Sequence, residues 1–181
     1  YQPAPAVPPE GVERKAYMAG KFGSEERVRA AHQRVREAAR DTDIAFRFED
    51  IAVSPNTLDA HRVIRWAGSA GPELQGRVVR RIFRAFFEEG RDVGRADVLT
   101  ELAAEAGMDG AVVESLLATD ADKDEVRAEI DTAQRMGITG VPCFLIENRY
   151  AVMGAQDAAV LTDALRRVSE AKAKGNLELA G

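Results

Sequence analysis

The chain has 181 residues, which is the length of one domain or of one domain with a large insertion. Hydrophobic residues make up 45% and charged residues 30%, and no apolar run approaches the roughly 18 residues of a membrane span, so we expect no membrane partner. The net charge of −5 argues against nucleic acid as a partner, because such binders concentrate Lys and Arg on one face.

The cysteine count excludes several kinds of site. Cys143 is the only cysteine, so the chain contains no internal disulfide, no Cys-x-x-Cys motif and no zinc site built on several thiolates. The sequence also lacks the metalloprotease, nucleophile-elbow and phosphate-loop motifs. We therefore predict no metal site.

The first part of the chain is rich in proline and then becomes helical. Residues 1–9 contain four prolines, which remove backbone donors and favour an extended linker at the end of a strand. The apolar spacing over residues 10–40 predicts two helices that meet at Gly23. Residues 44–51 alternate apolar and polar side chains, which predicts a short strand ended by Pro55.

Residues 57–136 have the pattern of several further helices. Asn56 or Thr57 caps the first, and Pro72 stands where the first turn of the next tolerates proline. That next helix has a broad apolar stripe at spacings of three and four, and shorter helices follow it. This part of the chain is predicted to form a helical core.

The pattern then changes from helix to strand. The apolar runs Cys143–Ile146 and Tyr150–Met153, separated by the turn Glu147–Arg149, predict a β-hairpin. An amphipathic helix follows. Because two or three strands make a poor sheet by themselves, we expect a partner strand from outside this part of the chain.

The most specific signal is the segment Gly137–Ile146, Gly-Ile-Thr-Gly-Val-Pro-Cys-Phe-Leu-Ile. Pro142 cannot donate to a strand ladder, and Gly140 permits unusual backbone angles. Alone, the segment fits an ordinary turn at the start of a strand equally well. Its context is more informative, since a long helix precedes it and a hairpin with Gly154–Asp157 follows.

Together these segments resemble the C-terminal half of DsbA-family thioredoxin-like proteins, most closely FrnE-type oxidoreductases and 2-hydroxychromene-2-carboxylate isomerases. The resemblance includes Asn56–Arg62 and Phe86–Asp92 and covers roughly residues 8–168. It implies an α/β, thioredoxin-like fold of the DsbA type with a large inserted α-helical subdomain. We assign residues 1–9 to the end of a strand and a linker, 10–136 to the helical insertion, 137–170 to the C-terminal thioredoxin-like half, and 171–181 to a charged tail.

The resemblance implies a substrate-docking loop at Val141 and Pro142. In that family the peptide bond preceding the matched proline is cis, so a cis Val141–Pro142 bond is expected. The turn leaves the backbone N–H and C=O of Val141 free to pair with an extended thiol peptide or glutathione as a short added strand. Gln156 and Asp157 match the position at which glutathione-using relatives hold the γ-glutamyl end, and simple helix capping is the competing interpretation.

Three further residues are candidates of a weaker kind. Asn56 and His61 belong to a stretch that recurs in the family, so both are candidate substrate-pocket groups, although His61 also fits a half-buried structural histidine. Cys143 follows the proline, where family members more often have Phe, Thr or Ala. As a free thiol on an apolar strand it fits an inert buried residue better than a nucleophile.

The family pattern begins with a strand, a reactive motif at the start of a helix and a second strand. The resemblance places this βαβ portion before Tyr1, so we expect no catalytic residue within the chain. A Cys-x-x-Cys motif there would make the protein a DsbA/FrnE-like protein disulfide oxidoreductase, which is the function we favour. A Ser or a lone Cys there would instead make glutathione the reacting thiol of an isomerase.

A non-catalytic fragment or helical interaction module is the third possibility. We expect no tightly bound cofactor, with glutathione at most a substrate or co-substrate. The expected partner is a thiol or disulfide substrate, either a protein or glutathione. The sequence leaves a homodimer open, and we expect a cytoplasmic location.

Overall fold

The computed structural model describes residues 7–147 and 149–175. Our expectations for residues 1–6, for Asn148 in the hairpin turn and for residues 176–181 lie outside the described residues. The chain divides into two compact units, one ending at Ala128 and the other beginning at Glu129. We call the first the helical unit and the second the hairpin unit. The domain boundaries assigned from the sequence stay predictions.

The helical unit consists mainly of helices around a small two-stranded sheet. Strands β1 (Val12–Glu13) and β2 (Val53–Ser54) pair antiparallel, with Val12 opposite Ser54. The helices within this unit are α1 (Arg14–Phe22), α2 (Glu25–Ala38), α3 (Leu58–Ser69), α4 (Pro72–Phe87), α5 (Ala96–Glu105) and α6 (Gly110–Leu117). A further helix, α7 (Lys123–Arg135), begins in the helical unit and ends in the hairpin unit.

Local chemistry explains where the first two helices begin and end. The Glu13 carboxylate accepts hydrogen bonds from the N–H groups of Lys15 and Ala16 at 2.8 and 2.6 Å, so it caps α1. Val12, which we placed in the first helix, therefore lies before the helix, in β1. Gly23 ends α1 with a φ of 87°, a conformation that glycine adopts readily.

The strand predicted over residues 44–51 does not form. These residues alternate in polarity, yet Phe48–Asp50 is a 3₁₀ turn, and within this described segment no residue pairs with a strand. Instead, the Arg47 N–H donates to the Phe87 carbonyl at 2.8 Å, and the Phe46 and Phe48 rings stack with centroids 5.0 Å apart. The aromatic residues of this alternating segment therefore pack their rings against the end of α4 and do not form a sheet.

The helical core confirms most of the predicted apolar stripes, although Phe83 of the predicted α4 stripe is exposed. Helices α3, α4, α5 and α6 pack together, and Val63, Val78 and Leu99 are fully buried among them. Burial of aliphatic side chains of this size provides most of the stability of such a unit, about 1.5–3 kcal/mol for each. The proline predicted in the first turn of α4 is Pro72, at the start of that helix.

The hairpin unit has the predicted elements in the predicted order. Strands β3 (Cys143–Ile146) and β4 (Tyr150–Met153) pair antiparallel, with Cys143 opposite Met153. The amphipathic helix is α8 (Ala158–Ala173), which contacts β4. Helix, hairpin and helix are therefore confirmed as elements, and the chain has a mixed α/β architecture that is mostly helical.

Candidate functional site

Residues 137–142, which contain the positions that the resemblance assigns to substrate docking and which we call the docking loop, connect α7 to β3. Gly137 has a φ of 77°, and the Val141–Pro142 peptide bond is cis. Val141 is 64% exposed, and Pro142 is exposed as well. The Gly154 N–H donates to the Pro142 carbonyl at 2.8 Å, which attaches the end of the loop to the end of β4. The loop is thus held at its last residue and open at the residue before it.

The backbone of Val141 is available for pairing. Within residues 7–147 and 149–175, neither its N–H nor its C=O forms a hydrogen bond to the main chain. In the same described residues, β3 pairs with β4 along one edge, and the sheet ends at the other edge of β3. An extended peptide can add to such an edge through main-chain hydrogen bonds.

A second group of free donors lies at the start of α8. Asp157 is the N-cap residue, but its side chain makes no capping hydrogen bond. The Gln156 amide nitrogen donates instead to the Met153 carbonyl at 2.8 Å. Among the described residues, the N–H groups of Ala158 and Ala159 have no main-chain acceptor, so they and the helix dipole are free to receive an anion. The side-chain capping that would compete with ligand binding is not made here.

Asn56 has a structural role in the helical unit. Its side-chain oxygen accepts a hydrogen bond from the Leu58 N–H at 3.0 Å, and its amide nitrogen donates to the Val7 carbonyl at 2.7 Å. The first bond is a cap at the start of α3, and the second ties the incoming chain to that cap. These two bonds account for the presence of an amide at this position.

His61 lies in the first half of α3 and is partly buried. Burial lowers the pKa of its imidazole to about 4, so the ring is neutral near pH 7. Asn56 and His61 both belong to the helical unit, whereas the other four predicted binding residues belong to the hairpin unit. These four are Val141, Pro142, Gln156 and Asp157. Each of the two groups remains a prediction as a binding site.

Cys143 is a half-buried free thiol at the first position of β3. It follows the docking loop directly and faces Met153 across the hairpin register. One thiol cannot complete a dithiol–disulfide cycle by itself.

A cavity beside His32 in the helical unit has no counterpart among the residues predicted from the sequence. The signal that could have indicated it is His32 itself, which interrupts the apolar side of α2.

No helix among the described residues is both long and apolar enough to cross a bilayer.

The comparisons with known proteins agree with the fold. The model of the DSBA-like thioredoxin domain family matches residues 3–166. The crystal structure of a probable DsbA oxidoreductase from Streptomyces coelicolor superposes with a TM-score of 0.80 at 31% sequence identity, covering 99% of this chain and 74% of that one. The protein YwbO of Bacillus subtilis (strain 168) is 43% identical over 67 residues, which are 36% of this chain and 34% of YwbO. The matched segment thus spans about a third of the length of that curated relative.

Proposed function

Because the chain belongs to the DsbA-like thioredoxin domain family, we propose that it forms the substrate-docking part of a thiol–disulfide oxidoreductase of the DsbA/FrnE type. The observation that supports this function best is the unpaired backbone of Val141 on an exposed loop at the edge of β3. A thiol peptide bound there gains two main-chain hydrogen bonds without regard to its side chains. Such pairing suits an enzyme that accepts many disulfide substrates.

The exchange reaction needs two thiols that this stretch of sequence does not contain. In our proposal they lie in a Cys-x-x-Cys motif outside these 181 residues, as the family resemblance implies. One thiolate attacks a sulfur of the substrate disulfide, a mixed disulfide forms, and the other substrate sulfur leaves as a thiolate. The second thiol of the motif then attacks the mixed disulfide and releases the reduced substrate. The Val141 backbone holds the substrate strand during these steps.

In our proposal, glutathione is the small thiol substrate or co-substrate of the hairpin unit. The free N–H groups of Ala158 and Ala159 suit the γ-glutamyl carboxylate. The Asp157 carboxylate, which makes no capping hydrogen bond to the helix, suits the γ-glutamyl ammonium group. This arrangement also favours the second candidate function, a glutathione-dependent isomerase related to the 2-hydroxychromene-2-carboxylate enzymes. The two functions differ in the reactive motif and not in the docking residues.

The docking proposal is tested by removing one backbone donor. Val141→Pro deletes the N–H while Val141→Ala keeps it, so the two variants separate the main-chain bond from the side chain. The probe is a blocked Gly-Cys-Gly peptide with an S-methylated cysteine, and its affinity is measured by NMR titration. We expect a loss of about fivefold to tenfold for Val141→Pro and little change for Val141→Ala, since a neutral hydrogen bond contributes about 1 kcal/mol. Equal affinities for both variants, with native circular dichroism, would refute docking at Val141.

The glutathione proposal is tested at Asp157. S-methylglutathione is compared with the analogue in which glutaric acid replaces the γ-glutamyl group and removes its ammonium. Asp157→Asn should weaken the first ligand about tenfold and leave the second unchanged, because only the first loses a charge-assisted hydrogen bond. Equal losses for the two ligands would mean that Asp157 does not recognise the ammonium group.

The choice between the two functions requires the protein expressed from its complete gene. Turnover of a disulfide-bonded peptide, with accumulation of the mixed disulfide when the second thiol is replaced, would establish the oxidoreductase. Glutathione-dependent isomerisation of an aromatic enone without disulfide turnover would establish the alternative.

A further inference from the structure

A cavity in the helical unit lies far from the docking loop in sequence. Its volume is about 480 Å³, within the range that encloses small organic ligands. It is bounded by α1, α2 and the segment that follows the 3₁₀ turn. Its apolar wall consists of Met18, Val28, Phe48, Ile51 and Ala52.

The carboxylates that line this cavity already have partners. Glu13 accepts the N–H groups at the start of α1, Glu25 pairs with Lys15 at 3.1 Å, and Glu49 accepts two hydrogen bonds from Arg36 at 2.7 and 2.6 Å. Glu25 and Glu49 are therefore already paired with cations, and Glu13 is held at the helix start by neutral N–H groups.

Two arginines among the lining residues have no such partner in the described part of the chain. Within the described part of the chain, neither Arg14 nor Arg29 forms an ion pair or a side-chain hydrogen bond. Arg14 is partly buried and its guanidinium carbon lies 5.4 Å from the centroid of the Phe86 ring. Burial lowers the pKa of Arg14 from its ordinary value, which reflects an incompletely solvated charge. A bound anionic ligand would compensate for this loss of hydration by its favourable interaction with the Arg14 charge.

His32 forms the wall that this cavity shares with a smaller neighbour. The second cavity has a volume of about 400 Å³ and is also lined by Arg29, Arg36 and Glu49. The His32 ring stacks on Phe48 with centroids 4.1 Å apart, and its Nε2 atom is buried without a hydrogen-bond partner among the described residues. A stacked aromatic wall beside arginines that have no ion-pair partner among the described residues suits a flat apolar ligand with one negative end.

We propose that this cavity is a binding site for a small aryl carboxylate, with the carboxylate held by Arg14 and Arg29 and the apolar body against Met18, Val28 and Ile51. The lining chemistry favours an anionic ligand, because four cations and three carboxylates line the two cavities. Lys15 and Arg36 pair with Glu25 and Glu49, which leaves Arg14 and Arg29 to hold the anion. The lining residues belong to the helical unit, and none of them is in the docking loop.

The probe is 4-phenylbutyrate, compared with the uncharged 4-phenylbutan-1-ol. Binding is followed by NMR through the side-chain signals of the two histidines, His32 at the cavity and His61 on α3 as an internal reference. We expect the chemical shifts of the His32 side chain to change saturably with ligand concentration and those of His61 to stay constant. The affinity for the acid should be about tenfold higher than for the alcohol, because one charge-assisted hydrogen bond provides a difference of that size.

Variants on α2 supply the decisive comparison. Arg29→Gln should weaken 4-phenylbutyrate about tenfold, whereas Arg34→Gln, on the same helix but away from both cavities, should not. Arg14→Gln should act like Arg29→Gln if the variant keeps its native circular dichroism. The exposed Arg29 keeps the test valid if Arg14→Gln fails to fold. Equal affinities for acid and alcohol, equal affinities of Arg29→Gln and Arg34→Gln, or shifts confined to residues 141–165 would each overturn the proposal.

Discussion

The guanidinium of Arg62 donates from Nε to the carbonyl of Ala121 at 2.6 Å, although 59 residues separate them. The Arg62 side chain is completely buried, and its remaining hydrogen bonds go to Asp59 and to the carbonyls of Leu116 and Thr119. This single side chain donates to carbonyls at the end of α6 and in the loop that follows, of which the Leu116 carbonyl also accepts the Thr119 N–H at 3.1 Å. It thereby connects α3 to the segment between α6 and α7.

Replacing Arg62 with Leu should lower the free energy of unfolding of the helical unit by about 3–5 kcal/mol, because buried carbonyls and Asp59 lose their donor. Urea unfolding followed by fluorescence of Trp66, the only tryptophan, measures this change. Arg65→Leu is the matched control. Its ion pair with Asp122 is about one-third exposed, so we expect a loss below about 1 kcal/mol. Similar losses for both variants would contradict a special role of Arg62.

The pKa of His61 predicts a pH-dependent stability. The unfolded imidazole takes up a proton near pH 6.5, whereas burial delays protonation in the folded state until about pH 4. Stability is therefore complete above pH 6.5 and is lost as the pH falls toward 4, by roughly 3 kcal/mol at 1.36 kcal/mol for each pKa unit. His61→Gln should lack this component. Unfolding free energies of the two proteins that fall in parallel between pH 7 and 4 would show that His61 is not the cause.

The two hydrogen bonds of Asn56 predict different effects for two substitutions. Asn56→Ala removes both the cap at Leu58 and the bond to Val7, and should lower the free energy of unfolding by about 1–2 kcal/mol. Asn56→Asp keeps the capping oxygen and loses only the donor, so its effect should be smaller. Thermal unfolding ranks the two variants, and equal losses would argue that the bond to Val7 dominates and that the capping oxygen contributes little.

Gly90 belongs to the Phe86–Asp92 stretch and has a φ of 67°. A Cβ atom added there would lie 2.7 Å from the Asp50 carbonyl oxygen. We expect Gly90→Ala to lower the free energy of unfolding by about 2–3 kcal/mol, from backbone conformation and steric overlap together. Gly20→Ala, within α1 and with open space around the new methyl group, should raise it by about 0.5–1 kcal/mol. Chemical denaturation of both variants tests the opposite signs.

Cys143→Ala tests whether the free thiol takes part in docking. The thiol is half-buried in β3, and docking in our proposal uses the backbone of the preceding loop. The affinity for the S-methylated cysteine peptide should therefore change by less than about twofold, which corresponds to less than about 0.5 kcal/mol. A tenfold loss would assign Cys143 to the binding site.

Some features of this protein follow from local sequence. Periodicity and stop signals predict α4 and the hairpin, because apolar spacing and turn residues act within a few positions of the chain. The Gly-Val-Pro segment and its context are sufficient to indicate the family, since the segment combines a turn, a strand start and the hairpin that follows. The loop at Val141 and Pro142 is therefore evident from the sequence by itself.

Other features depend on contacts between distant residues. The alternation over residues 44–51 predicts a strand, yet among the described residues no strand pairs with this segment. Phe46 and Phe48 pack instead against Phe87. No local pattern marks Arg62, because its carbonyl acceptors lie more than 50 residues away in sequence. Local pattern determines which backbone element can form. Only tertiary structure decides which partner satisfies a buried polar group, because that choice is made by residues that the local pattern does not contain.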